Sequence, residues 1–351
     1  AVVAFADISN PNRSGAFQIF GNNPITQKDV VKYSNKLLRL GVLRPFTPLL
    51  ISVRLSFPND EQKYLEVLKT CELFAVRVFR IADRRPSGSE ALLFRLANQL
   101  YYQRITYSTL LENLRRDLLD KCSDDLFIKR FALEDPNPWY GRSSGLVKYF
   151  LYEYEEYLFG NQAPIINWST IYEGNEKTIE HILPQHPEDP GYWIDLFPSN
   201  EEREKLTHVL GNLTLTEDNS KLGRKSFPQK KGRIGQEDAC YANSNLKIER
   251  ELAGVEGDWT ALEIEKRQRK LAEWAMIRWF VKPVPPLPPQ GLEALRQLAE
   301  RNGFLPEFDR IREYAKRLGL GEKASKRCMS YKPPYNWQLT AIFVYTYASG
   351  I

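Results

Sequence analysis

Glu180 and His181 stand side by side in Thr178-Ile179-Glu180-His181-Ile182-Leu183-Pro184-Gln185; Asn212 follows in Gly211-Asn212-Leu213-Thr214-Leu215, and Asn219 in Asp218-Asn219-Ser220-Lys221. Phosphodiester hydrolysis needs a base to take a proton from water, a divalent cation on the phosphate and leaving oxygens, and a group that holds the base in place. Histidine suits the first task, because its ordinary pKa of ~6.5 leaves it largely neutral near pH 7. A carboxylate and an amide oxygen suit the second, since Mg²⁺ and Mn²⁺ take oxygen ligands. An acidic residue beside a histidine, an asparagine in a short apolar run and a second asparagine opening a basic helix are thus the parts of a metal-dependent nuclease site. The chain has three histidines, two of them at 181 and 186, and this clustering favours function for His181. His186 and His208 read as supporting residues.

The elements that must position these groups are short. Thr178, Ile179, Ile182 and Leu183 predict a strand that Pro184 stops, because proline lacks the ladder donor. Leu213-Thr214-Leu215-Thr216 predicts a second strand with apolar residues at period two. Asp218 fits an N-cap with Asn219 in the first helical turn, and Ser199 to Glu202 fits a capping box for a helix from Glu201 to His208. Strand alternation points Glu180 and His181 to opposite faces.

Read together, Glu180-His181-Ile182-Leu183-Pro184-Gln185, Leu210-Gly211-Asn212-Leu213-Thr214-Leu215, and Asn219 with Phe227, Lys230 and Lys231 resemble the HNH nuclease domain at the C-terminal end of GmrSD-type modification-dependent restriction proteins. SspE-like phosphorothioation-linked defence proteins are among the relatives. The resemblance covers residues 145–282. It includes a leading helix with Val147, Lys148, Tyr149, Phe150, Leu151, Tyr152 and Glu155, and a closing one with Trp259, Ile264, Arg267, Leu271 and Trp279. It implies a ββα-metal fold in which His181 is the general base, Glu180 and Asn219 bind one Mg²⁺ or Mn²⁺, and Asn212 holds the histidine or its loop. Cys71, Cys122, Cys240 and Cys328 are too far apart for a paired-thiolate zinc site, so packing must hold the fold. Relatives carry an upstream nucleotide-hydrolysing domain with an Asp-Gly-Gln-Gln-Arg motif. That motif is absent here, and the chain starts without methionine at Ala1, so the resemblance implies a C-terminal piece lacking the NTP-hydrolysing or sensing half.

A net charge of +5 says little about nucleic acid by itself. Locally, Lys221, Arg224, Lys225, Lys230, Lys231 and Arg233 form a run without an acidic residue directly after Asn219. Its position where phosphates must lie favours contact with the backbone of double-stranded DNA. Phe227 is the one aromatic inside the run, which argues against single-strand stacking.

The remainder predicts scaffold, and the fold class is mainly α. A helical bundle spans 1–165, the ββα-metal nuclease domain 166–282, a Pro-rich linker 283–290 and a small α/β module 291–351. Helices are expected from Gln27 to Leu40, from a cap at Asn59 through Ile81, from Ser89 to Tyr102, from Ser108 to Leu119 and from Leu146 to Leu158. In the last module Leu292 to Glu300 and Glu307 to Leu318 read as helices and Trp337 to Tyr347 as strand-like. Its Lys323, Lys326, Arg327 and Lys332 tilt it towards nucleic acid. No signal peptide or membrane run is read, and unpaired cysteines suit the cytoplasm. The leading function is a DNA endonuclease or nickase, the effector part of an anti-phage protein. The alternative is a catalytically weak DNA-binding or interaction module, and RNA cleavage ranks third.

Overall fold

The computed structural model describes residues 1–17, 24–142, 144–160, 167–173, 179–217, 219–285, 292–301, 305–317, 321–324, 328–332 and 343–345. Thr178, Asp218, most of the Pro-rich linker, Lys326, Arg327 and Trp337 lie outside them. The chain divides into two compact units, Ala1–Pro283 and Val284–Ile351.

The first unit is mainly helical: α1 (Val2–Ser9), α2 (Pro24–Arg39), α3 (Thr47–Ser56), α4 (Glu61–Phe74), α5 (Ser87–Tyr101), α6 (Tyr107–Lys121), α7 (Asp124–Lys129) and α8 (Ser144–Phe159) precede the strands. Leu110, Leu111, Leu114 and Leu118 form the buried stripe of α6, as their spacing requires. The cap expected at Asn59 is supplied instead by Asp60, whose carboxylate accepts the Lys63 N–H at 3.0 Å. After α4 the chain continues in a π-helical turn, Ala75–Ile81.

Beyond α9 (Trp168–Glu173) come β1 (Ile179–His181), α10 (Tyr192–Leu196), α11 (Asn200–Thr207), β2 (Leu213–Leu215), α12 (Asn219–Leu222), α13 (Phe227–Lys231), α14 (Lys247–Ala253) and α15 (Ala261–Arg278). The strands pair antiparallel with Ile179 opposite Leu215, Glu180 opposite Thr214 and His181 opposite Leu213. Ile179, Leu213 and Leu215 join the large core of the helical layer. Ile182 and Leu183 enter a second cluster with Trp193, Phe227, Trp259 and Ile264. The strand pair is therefore wedged between two cores, which fixes it despite its three-residue strands. Glu155 on α8 accepts the backbone N–H groups of Lys247 and Ile248 at 2.7 and 2.8 Å and so caps α14.

A buried ion network ties the helical layer together. Lys36 on α2 and Arg278 on α15 both bond Glu153 on α8, and Arg278 also bonds Glu72 on α4. Burial alone would raise Glu153, but Lys36 and Arg278 hold it at about 2.

In the second unit α16 (Leu292–Arg301) and α17 (Leu305–Arg317) bury Ala299, Phe308 and Ala315, and β3 (Gly321–Ala324), β4 (Cys328–Lys332) and β5 (Phe343–Tyr345) form an antiparallel sheet in that order. No helix among the described residues is long and apolar enough to cross a membrane.

Candidate active site

Asn212 is the keystone of the site region. It is fully buried, and its side chain exchanges two hydrogen bonds with the backbone of Leu183, accepting the N–H at 2.8 Å and donating to the carbonyl at 2.9 Å. Its amide nitrogen also donates to the Thr207 carbonyl at 2.9 Å, and its oxygen accepts the Trp259 indole N–H at 3.1 Å. Asn212 thus holds the segment just after His181, and none of its side-chain hydrogen bonds goes to the imidazole. Gly211 beside it allows close packing: a Cβ there would collide with the Ile264 carbonyl and Gln268 on α15. The buried Arg267 closes this turn by donating to the carbonyls of Gly211 and Leu213 at 2.8 and 2.6 Å.

His181 is nearly buried at the end of β1. Its Nε2 lies 3.2 Å from His208 Nδ1 and 3.2 Å from the Gln185 amide nitrogen, and the Tyr140 ring packs edge-on with centroids 4.3 Å apart. Burial first, then His208 and Lys230, push the imidazole down to about 3, so it is neutral near pH 7. His186 acts electrostatically on His208, so all three histidines of the chain gather here. Tyr140 and Gln185 are additions that sequence reasoning missed. Tyr140 follows the Pro136-Asn137-Pro138 break, and no local signal ties it to His181.

Glu180 faces away from that cluster. Its Oε1 accepts from Lys230 Nζ at 2.5 Å, and the same ammonium donates to the carbonyls of His181 and Ile182, each at 3.0 Å. Burial raises Glu180 to about 7 against the pull of Lys230, and burial lowers Lys230. The reading of Lys230 as a phosphate-facing cation is therefore corrected: the side chain is wholly buried and spent on β1. Its helix places it there, because Ser226 caps α13 in a reciprocal box with Gln229 and turns the next residue inward. Phe227 is likewise buried, against Trp259.

Asn219 opens α12 and donates through its amide nitrogen to the Ile179 carbonyl at 3.0 Å, which brings it to the residue preceding Glu180. Its side-chain oxygen has no hydrogen bond among the described residues. Of the remaining cations, Lys221 and Arg224 are exposed and Lys225 half-buried around one cleft, Arg233 is exposed, and Lys231 donates to the Val255 carbonyl.

The donor set bears on a divalent ion. No group of three or more His, Cys, Asp or Glu able to hold a metal occurs among the described residues. The oxygen donors of this region are the Glu180 carboxylate, which is buried, and the Asn219 side-chain oxygen, whose residue is tied to β1 through the Ile179 carbonyl; Mg²⁺ and Mn²⁺ take ligands of this kind. Such an ion must share Glu180 with Lys230.

Residues 123–274 match the family model of the GmrSD restriction endonucleases, C-terminal domain. None of the curated proteins matches this chain.

Proposed function

On the premise that residues 123–274 belong to the GmrSD C-terminal domain family, we propose that this chain is an HNH-type endonuclease of ββα-metal architecture that nicks double-stranded DNA. It would act as the effector of a modification-dependent anti-phage restriction protein, alongside an NTP-hydrolysing or sensing domain. The observation that carries the reading is the His181 imidazole, neutral and held by Asn212 through Leu183, at the end of the strand that also bears Glu180 and meets Asn219.

His181 accepts the proton of the attacking water. Gln185, His208 and Tyr140 fix its ring plane, and Asn212 fixes its backbone, so little reorganisation is left for the reaction. Half-exposed His208, within hydrogen-bond distance of His181, offers the proton a way out. Glu180 and the Asn219 oxygen are the groups that would hold one Mg²⁺ or Mn²⁺, which when bound supplies charge stabilisation at the phosphate and leaving oxygens. Lys221, Arg224, Lys225 and Arg233 contact phosphates flanking the cut. One such site per chain attacks one strand, so nicking is the outcome for a monomer.

The Lys230–Glu180 pair favours a second reading, a DNA-binding module in which the ammonium replaces the metal. Supercoiled plasmid separates the two. The nuclease reading expects open circles with Mn²⁺ or Mg²⁺ and none in EDTA. The binding reading expects retarded but intact plasmid in both.

A further inference from the structure

Residues 220–226, directly after Asn219, line a cleft of about 420 Å³, within the ~300–1,000 Å³ typical of small-ligand sites. Lys221, Arg224 and Lys225 line it together with Glu188, Tyr192 and Gln229. The side chains of Arg224, Lys225 and Glu188 have no ion-pair or hydrogen-bond partner among the described residues. The Gln229 oxygen is occupied by the Ser226 N–H and hydroxyl at 2.9 and 3.0 Å, which leaves its NH₂ group as the available end. The Tyr192 hydroxyl donates to Asp258 at 2.7 Å, so the half-buried ring is a fixed wall. Behind it the Trp193 indole donates to the Lys225 carbonyl at 3.1 Å, and its ring centroid lies 5.8 Å from Lys230 Nζ. The cleft therefore shares its back wall with the Lys230–Glu180 pair.

Cations alone would make a phosphate track. Here they share a concave site with an acceptor carboxylate, a donor amide and an anchored aromatic face, and that mixture matches a phosphate joined to a flat ring bearing N–H and acceptor groups. We propose that the cleft binds a single unstacked nucleotide of the DNA strand, with its phosphate on Arg224 and Lys225, its base against Tyr192, and its ring edge between Glu188 and Gln229. A base inside a duplex presents no free face, so the occupant must leave the stack. The assignment to a DNA strand rests on the nuclease reading; the binding chemistry of the cleft does not.

The test is isothermal titration calorimetry on the whole chain in EDTA, with dAMP and inorganic phosphate as probes. The expected result is that dAMP binds at least ~10-fold more tightly than phosphate, as one base–aromatic stack would supply. Arg224→Gln with Lys225→Gln weakens both probes. Tyr192→Leu weakens dAMP by ~10-fold and leaves phosphate unchanged, and Tyr192→Phe retains dAMP binding. Melting curves confirm that each variant is folded. A hairpin oligonucleotide with a one-nucleotide bulge is expected to displace dAMP better than a fully paired hairpin. Equal binding of dAMP and phosphate, or indifference to Tyr192→Leu, would overturn the nucleotide site, and dAMP that neither hairpin displaces would overturn the strand assignment. The assay needs neither metal nor cleavage, so a chain that binds dAMP in this way yet never nicks plasmid loses the nuclease reading and keeps the site.

Discussion

Lys230 Nζ lies 2.5 Å from Glu180 Oε1, and both side chains are out of solvent. A buried pair of this kind is costly to break, because removing one partner strands the other charge. Lys230→Ala is expected to destabilise the chain by ~3–5 kcal/mol in urea unfolding. Glu180→Gln with Lys230→Met should recover most of that loss. A Lys230→Ala chain as stable as wild type would show that the ammonium is not committed to β1.

Asn212→Ala leaves the Leu183 N–H, the Leu183 and Thr207 carbonyls and the Trp259 N–H without a partner. At ~1–3 kcal/mol for each group stranded in the interior, a loss of roughly 2–5 kcal/mol is expected even with partial relaxation. Activity should fall together with stability. His181→Ala should keep its stability, and comparing the two melting curves checks the difference between positioning and chemistry.

The basic run divides by burial. Replacing Lys221, Arg224 and Lys225 with glutamine should lower the slope of log binding constant against log salt by ~0.9 for each phosphate that is no longer neutralised. Lys231→Gln should leave the slope unchanged, because that ammonium is engaged by the Val255 carbonyl. Fluorescence anisotropy with duplex DNA at several salt concentrations measures both. An unaltered slope in the triple variant would move the DNA path elsewhere, with Arg233 as the remaining exposed cation of the run.

Glu249 gives a pH signature. It accepts from the Ser244 hydroxyl, yet burial raises it to about 8 against an ordinary value of 4.5. The folded chain keeps this proton where the unfolded chain has released it, so its contribution is fully present below pH ~4.5 and is lost as pH rises towards 8. Glu249→Gln is expected to flatten the decline of melting temperature between pH 5 and 8. An identical decline in the variant would place the titration elsewhere.

Much of this architecture is legible in the residues. The α6 stripe, the Ser199 cap, which accepts the Glu202 N–H at 3.2 Å, and the opposed faces of Glu180 and His181 follow from local rules of spacing and capping. So does the anchoring of a loop by Asn212, because an asparagine in an apolar run must find partners. The inward turn of Lys230 is not legible, since a run of cations is read by density and its burial depends on where α13 docks. Tyr140 and His208 meet His181 through tertiary packing alone, and the Asp60 cap lies one residue from the expected one because both candidates at that turn are good cap types.

The central claim is that His181 activates water for strand cleavage. It is tested most directly by single-turnover nicking of supercoiled plasmid by the wild type and His181→Ala with Mn²⁺, alongside DNA binding by both. A rate lower by ~10²–10⁴ in the variant, with binding retained, is the predicted result. Nicking by His181→Ala at the wild-type rate, in preparations free of contaminating nuclease, would contradict it.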